Sequence, residues 1–410
     1  MTRATRTLIS LGLAHALLEW FSGFWPIFKA LAHLDLPTCA KIVAVTGFIS
    51  SLLQPAFGAW ADRGSARAMA LGGTALTALL TLVGPIANQT GTWGPFSIYL
   101  MLATLTMFSR FGHSMFHPAG ATLAARASDD ASHTANLGVF VSMGWIGFGL
   151  SQVAFAAAYV HFGGHTEILL LPGAVFMAWI MLWCKPDPLP HTHTRAPWSS
   201  IRHDLWQYKS ALTILFLLSC LTSAANAALF FLMPEFLLER GYTGFVFNGG
   251  AQGFMIAGTA VGVVVSGGCD RRWGERLTLI VAMVANIVAW HGFLMTPHIS
   301  DPLFLSVCFV TGWLFGFGST LPISMGQKML PRSASMISGV MMGWSWAVAN
   351  LAPVIAAELS VTYGIYFSLS VLGIVNVLAL VFSLFLKPAA QAIAEESHAT
   401  IPSTAPSAAN

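Results

Sequence analysis

Charge is what this sequence has least of. Only 9% of its 410 residues are Asp, Glu, Lys or Arg, whereas soluble domains carry about 25%. A water-exposed surface for a chain of this length cannot be assembled from that alphabet, which excludes a soluble enzyme or binding module. Cysteine is sparse as well. Cys39, Cys184, Cys220, Cys269 and Cys308 lack any C-x-x-C spacing, and they read as small apolar helix residues. Glycine-rich runs such as 144–149 and 312–318 follow no strand, so they read as close-packing helix faces and no nucleotide site or other cofactor is expected. A net charge of +3 singles out no nucleic-acid partner, and none is expected.

What fills the sequence is apolar. Hydrophobic residues make up 56% and mean hydropathy is +0.70. Runs of about twenty residues recur, each able to cross a ~30 Å hydrocarbon core as a helix. The fold class expected is an all-α membrane protein with twelve transmembrane helices. Their approximate limits are 7–31, 42–61, 68–87, 96–116, 135–160, 168–184, 210–233, 247–268, 277–296, 303–325, 336–358 and 365–386. The basic residues before the first run resemble a signal peptide, but no cleavage site follows and the run is read as a retained span.

The distribution of basic residues supports this count. With the N-terminus inside, the inner loops hold Arg3, Arg6, Arg63, Arg67, Arg126, Lys185, Arg195, Arg202, Lys209, Arg271, Arg272, Arg276, Lys328, Arg332 and Lys387. That is 15 of the 19 Lys and Arg residues. Lys29, Lys41 and Arg240 fall outside, and Arg110 lies within a span. The positive-inside rule then places both termini in the cytoplasm. The location expected is the bacterial inner membrane.

Residues 185–209 carry three early prolines and polar residues, and read as a cytoplasmic linker between six-helix bundles at 1–184 and 210–387. Residues 388–410 are Ala/Ser/Pro-rich without apolar period and read as a disordered tail. The bundles echo one another. Asp62-Arg63 ends the second span and Asp270-Arg271 the eighth, 208 residues later. Pro118 after the fourth span has Pro331 as its counterpart after the tenth. Duplicated six-helix units with a site between them are a recurrent transporter plan.

Several stretches carry a family resemblance. Gly58-Ala-Trp-Ala-Asp62-Arg63 with Arg67 resembles the G-x-x-x-D-[RK] turn of the major facilitator superfamily. His15-Ala-Leu-Leu-Glu19, the stretch Ser51–Arg63, Gly112–Pro118 and Gly326–Gly343 resemble its fosmidomycin-resistance branch. The sequence departs from that branch at Ala119, where the branch has Glu, and at Arg110. The resemblance implies a secondary transporter that exports a small polar compound, an antibiotic or a secreted metabolite such as a siderophore. It further implies that the opening spans of each bundle line the substrate cavity.

Candidate residues follow from cost. An ionised carboxylate mid-span costs at least about 2.5 kcal/mol, so Glu19 is expected to work, with His15 one turn earlier, as a proton acceptor. Arg110 and His113 share a face of the fourth span and are expected, with Asn226 and Trp20, to meet the substrate, Arg110 as an anchor for an anionic group. Gly58, Asp62, Arg63, Arg67, Asp270 and Arg271 are expected to form cytoplasmic gates. His117-Pro118 is expected to end the fourth span, His117 capping carbonyls there, and to take part in gating. His191, His193 and His203 lie in the linker without acidic or thiolate company, and no metal site is expected. The partners expected are protons, a small-molecule substrate and the bilayer, with the protein acting as a monomer. The competing class is a polytopic membrane enzyme acting on a lipid. It would need a cluster at one membrane surface, for which His113, His117 and Asp129 or Asp130 are the nearest approximation.

Overall fold

Hydrocarbon offers the backbone no water, so each amide must be satisfied within the protein, and an apolar chain of this kind folds as helices. The computed structural model describes residues 3–61, 65–126, 133–184, 205–330 and 334–387. Among them every regular element is helical. In chain order these are α1 (Thr5–Leu31), α2 (Leu36–Trp60), α3 (Ala66–Ala87), α4 (Pro95–Arg126), α5 (His133–His161), α6 (Leu170–Cys184), α7 (Lys209–Glu239), α8 (Val246–Trp273), α9 (Glu275–Met295), α10 (Asp301–Met329), α11 (Met336–Tyr363) and α12 (Ile365–Leu384). Among the described residues ten segments are long and apolar enough to cross a membrane. The others are α6, which is shorter, and the 32-residue α4, which carries Arg110 in its middle.

Several boundaries differ from the sequence expectation for identifiable reasons. Helix α2 starts at Leu36 because Asp35 caps it, accepting from the Thr38 amide at 2.9 Å and the Thr38 hydroxyl at 2.6 Å. Those two donations, the hydroxyl first, hold the Asp35 carboxyl below its usual range. Helix α4 runs on through Pro118 to Arg126, and α7 through Pro234 to Glu239. Neither proline ends its helix. Within a membrane bundle the one carbonyl that a proline frees can be met by neighbours, whereas a terminated helix would expose many.

Packing repeats along the chain. Helix α1 packs on α5 and α6, as α7 does on α11 and α12. Helix α4 packs on α2 and α3, as α10 does on α8 and α9. The two sets meet where α5 lies along α8, α2 along α11, and the end of α1 against α7. Large apolar side chains such as Leu150, Leu182, Val288 and Phe385 remain exposed. That surface suits lipid and would not suit water.

Helices α8 and α10 approach most closely through Gly258, Gly262, Gly312 and Gly316, a G-x-x-x-G pair on each. A methyl at any of the four would overlap a backbone oxygen of the opposite helix. Gly312→Ala is therefore expected to lower stability by about 1–3 kcal/mol. Gly292→Ala on α9, where a methyl meets open space, should leave it unchanged or slightly higher. Thermal unfolding of both variants in detergent checks this.

Helices α1, α8 and α10 are each interrupted beside the interior. Helix α1 breaks at Gly23 and Phe24, α8 kinks at Asn248 and Gly249, and α10 turns at 317–320. The Gly23 carbonyl, freed by its break, accepts from the buried Gln152 side chain of α5. Gly249, at φ 96°, lies against the backbone of the same Gln152. The interruptions thus stay inside the protein, as non-helical backbone in a membrane must.

Candidate functional site

A cavity of about 240 Å³ lies at the centre, lined from α1, α2, α4, α5, α7, α9, α10 and α11. Its chemistry is lopsided. Every ionisable residue on its wall comes from α1 or α4, namely His15, Glu19, Arg110, His113 and His117. The later helices contribute hydroxyls, apolar groups and the amides Asn226, Asn286 and Asn350. Trp145, Phe148, Phe230 and Trp346 supply aromatic surface.

The ionisable wall is built from two i, i+4 pairs, each on one helix face. His15 and Glu19 come from α1, one turn before its break. The His15 ring stacks between Phe116 and Phe140, with centroids 5.6 and 4.3 Å away. Gly144 makes room for it, since a methyl there would strike the ring. In the neutral ring, Nδ1–H donates to the Phe140 carbonyl at 2.8 Å, which leaves the Nε2 lone pair facing Glu19 Oε1 at 3.5 Å. The other Glu19 oxygen, Oε2, accepts from the Ser22 hydroxyl at 2.7 Å.

His113 and His117 form the second pair, on α4. Their Nε2 atoms lie 3.0 and 3.1 Å from Glu19 Oε1 and 3.0 Å from each other. Three imidazoles thus converge on one carboxylate oxygen. Glu19 is 9% exposed, His117 7% and His15 3%. Arg110, one turn before His113, makes no hydrogen bond or ion pair among the described residues and contributes its charge to the cavity.

The structure brings His15, Glu19, Arg110, His113 and Asn226 to this one cavity. Trp20 is not on its wall. It sits one position round the helix from Glu19, stacks edge-on with Phe21 and packs in a cluster with Leu17 and Ile180. His117, expected to cap a helix end, is inside α4 and belongs to the cluster, and Pro118 is buried in the same helix. His15, Glu19 and His117 bring ligand atoms within 4.8 Å of one another. The linker histidines themselves lie outside the described residues.

Of the gate residues, Asp62 and Arg63 are outside the described residues. Gly58 is buried near the end of α2, and Arg67 is exposed at the start of α3. Asp270 is 7% exposed and lies 3.7 Å from Lys328 at the end of α10, which also holds Glu275 at 2.7 Å, while Arg271 is exposed. Sequence reasoning missed a further ion pair. Lys29, expected on the outer side at the end of the first span, is 1% exposed, pairs with Glu235 of α7 and lies 4.6 Å over the Phe231 ring. Its signal was a single Lys inside the apolar run Trp25–Leu31. At the same end Lys41 reaches Glu358 of α11 at 3.3 Å, both exposed. These pairs tie α1 and α2 to α7 and α11 at the face opposite the termini.

Comparison with known proteins agrees with this architecture. A bacterial homolog of the human lysosomal transporter Spinster, solved inward-facing and unoccupied, superposes with a TM-score of 0.68 at 12% identity, over 97% of this chain and 98% of that one. The human organic anion transporter MFSD10 (TETRAN) gives 0.68 at 13%, over 93% of this chain and 100% of that one. At such identities the likeness is one of fold. No curated protein matches the sequence. The sequence model of the Major Facilitator Superfamily matches residues 7–350. The chain is a membrane transporter belonging to the Major Facilitator Superfamily.

Proposed function

We propose that the protein is a proton-coupled exporter of a small polar or anionic organic compound, related to the fosmidomycin-resistance branch. It works as a monomer in a bacterial inner membrane, with both termini cytoplasmic. In this reading α1–α6 and α7–α12 are two six-helix bundles of a twelve-span protein that rock about the central cavity. The gates at Asp62-Arg63 and Asp270-Arg271 bias which face opens. The observation that carries the reading is the convergence of three imidazoles on Glu19 at the cavity wall.

Coupling follows from sharing the wall. Export driven by inward protons requires substrate and proton to exclude one another, and that exclusion is reciprocal. A compound that donates a hydrogen bond to Glu19 meets this requirement, because protonation removes the acceptor it needs. Arg110 then takes an acidic group of the same compound. A purely anionic compound with no donor would be held better by the protonated cluster and would travel with the proton. The substrate class favoured is therefore a small acid that also bears hydroxyl or amine donors, such as an antibiotic or a siderophore. Asn226 and its fellow amides on the later helices orient its neutral parts.

Inverted membrane vesicles offered a panel of such compounds test this. Uptake is expected on energisation, and its collapse with a protonophore. Uptake indifferent to the gradient would overturn the coupling. Turnover of a lipid by the purified protein without any gradient would mark the membrane enzyme instead.

A further inference from the structure

The His15–Glu19–His113–His117 cluster has more lone pairs than protons can satisfy in pairs. Each imidazole nitrogen has one in-plane site, filled by a hydrogen or by a lone pair. His113 Nε2, His117 Nε2 and Glu19 Oε1 are mutually 3.0–3.1 Å apart. If both rings donate to Glu19, their two N–H groups face each other; if one ring donates to the other, the accepting ring has nothing left for the carboxylate. No arrangement of protons satisfies all three edges. A second observation points the same way. His15 Nε2 is buried, aimed at the cluster, and has no hydrogen-bond partner.

We infer that these four side chains form a site for a divalent transition-metal cation, with three imidazole nitrogens and one carboxylate oxygen as donors. A cation at the common point satisfies the four lone pairs together. In a tetrahedral Zn²⁺ site with Zn–N of ~2.0–2.1 Å, neighbouring donors lie about 3.3 Å apart. Four of the six edges here, 3.0, 3.0, 3.1 and 3.5 Å, bracket that figure, and His15, Glu19 and His117 have ligand atoms within 4.8 Å of one another, with His113 closing on Glu19 and His117. The anchoring also fits. His15 Nδ1 on the Phe140 carbonyl fixes the tautomer that presents Nε2 outward, and Ser22 holds the second Glu19 oxygen. Such outer partners are what metal-ligating residues characteristically have. The donor set selects Zn²⁺, Ni²⁺ or Cu²⁺ over Mg²⁺ or Ca²⁺, which require oxygen ligands. Arg110 on the same wall opposes a dication, and the Glu19 carboxylate offsets it. The ligand positions, H-x-x-x-E on α1 and H-x-x-x-H on α4, open on the cavity, so an ion reaches them by the route a substrate takes.

The test uses the purified full-length protein in detergent with Co²⁺ and Zn²⁺ as probes. Co²⁺ is expected to show the visible ligand-field bands of a tetrahedral nitrogen-rich site, one ion per chain, displaced by Zn²⁺. His117→Gln should weaken Zn²⁺ binding by at least the ~10–100-fold that loss of even an outer partner costs. His117→Cys should restore Co²⁺ binding and add a thiolate charge-transfer band, which a purely structural effect of the substitution would not produce. Three results would overturn the inference. These are no Co²⁺ bands in the wild type, bands that survive His117→Gln but vanish when His191 and His193 are replaced, or Co²⁺ bound by His117→Cys without the thiolate band. Binding requires neither a gradient nor a cargo, so failure here leaves the transport reading standing, and failure of transport leaves this site standing.

Discussion

Glu19→Gln is expected to cut gradient-driven transport by about 10²-fold or more, the scale on which a positioned proton-transfer group acts. The side chain keeps its size, and an amide oxygen can still accept from Ser22, which donates to Glu19 at 2.7 Å. What is lost is the ability to change charge. The amide remains neutral at every step, so the central cluster can no longer make proton and substrate exclude one another. Stability should move the other way or stay still, because a buried charge costs at least about 2.5 kcal/mol in a span. The pair of readouts is uptake in energised inverted vesicles and thermal unfolding in detergent. Loss of both would point to a folding defect. Undiminished uptake would remove Glu19 from coupling altogether.

That residue was legible because the cost of a carboxylate in hydrocarbon can be read without knowing any neighbour. His15 was legible beside it because i, i+4 residues share a face. The same rule joins His113 to His117, but the Pro118 that follows suggested a loop. Proline is a strong terminator in water and a weak one in a bundle that can cover the freed carbonyl, and α4 and α7 both pass through theirs. Trp20 could have been set aside from sequence, since adjacent helix residues point about 100° apart and Glu19 faces the cavity. What no local pattern could supply is distance across the fold. Glu19 meets His113 over 94 residues and Lys29 meets Glu235 over 206. Those pairings depend on how the helices pack, and close packing is set by glycines such as Gly144 and Gly312, whose partners a sequence does not name.

The Lys29–Glu235 pair makes the second large prediction. Removing one partner of a buried ion pair leaves the other charge unpaired, at a cost of about 3–5 kcal/mol. Lys29 is 1% exposed and the Glu235 side chain 22%, so the lower end of that range applies. In Lys29→Met the penalty falls on the conformation in which α1 and α7 are closed over Glu235. Once the two helices separate at that face, water reaches the carboxylate and the penalty disappears. The equilibrium therefore shifts toward opening there by a factor on the order of 10², since 1.4 kcal/mol is tenfold. Native Cys39, fully buried in the same apolar cluster as Phe28 and Phe231, reports on this. With the other cysteines replaced, its labelling by a membrane-impermeant maleimide should accelerate by about that factor in Lys29→Met. The double variant Lys29→Met, Glu235→Leu should return toward the slow wild-type rate, because two well-packed apolar side chains leave no charge to solvate. An unchanged rate in the single variant would mean the pair does not hold this face shut. A double variant as fast as the single would mean that the Lys29 side chain, and not its charge, closes the face.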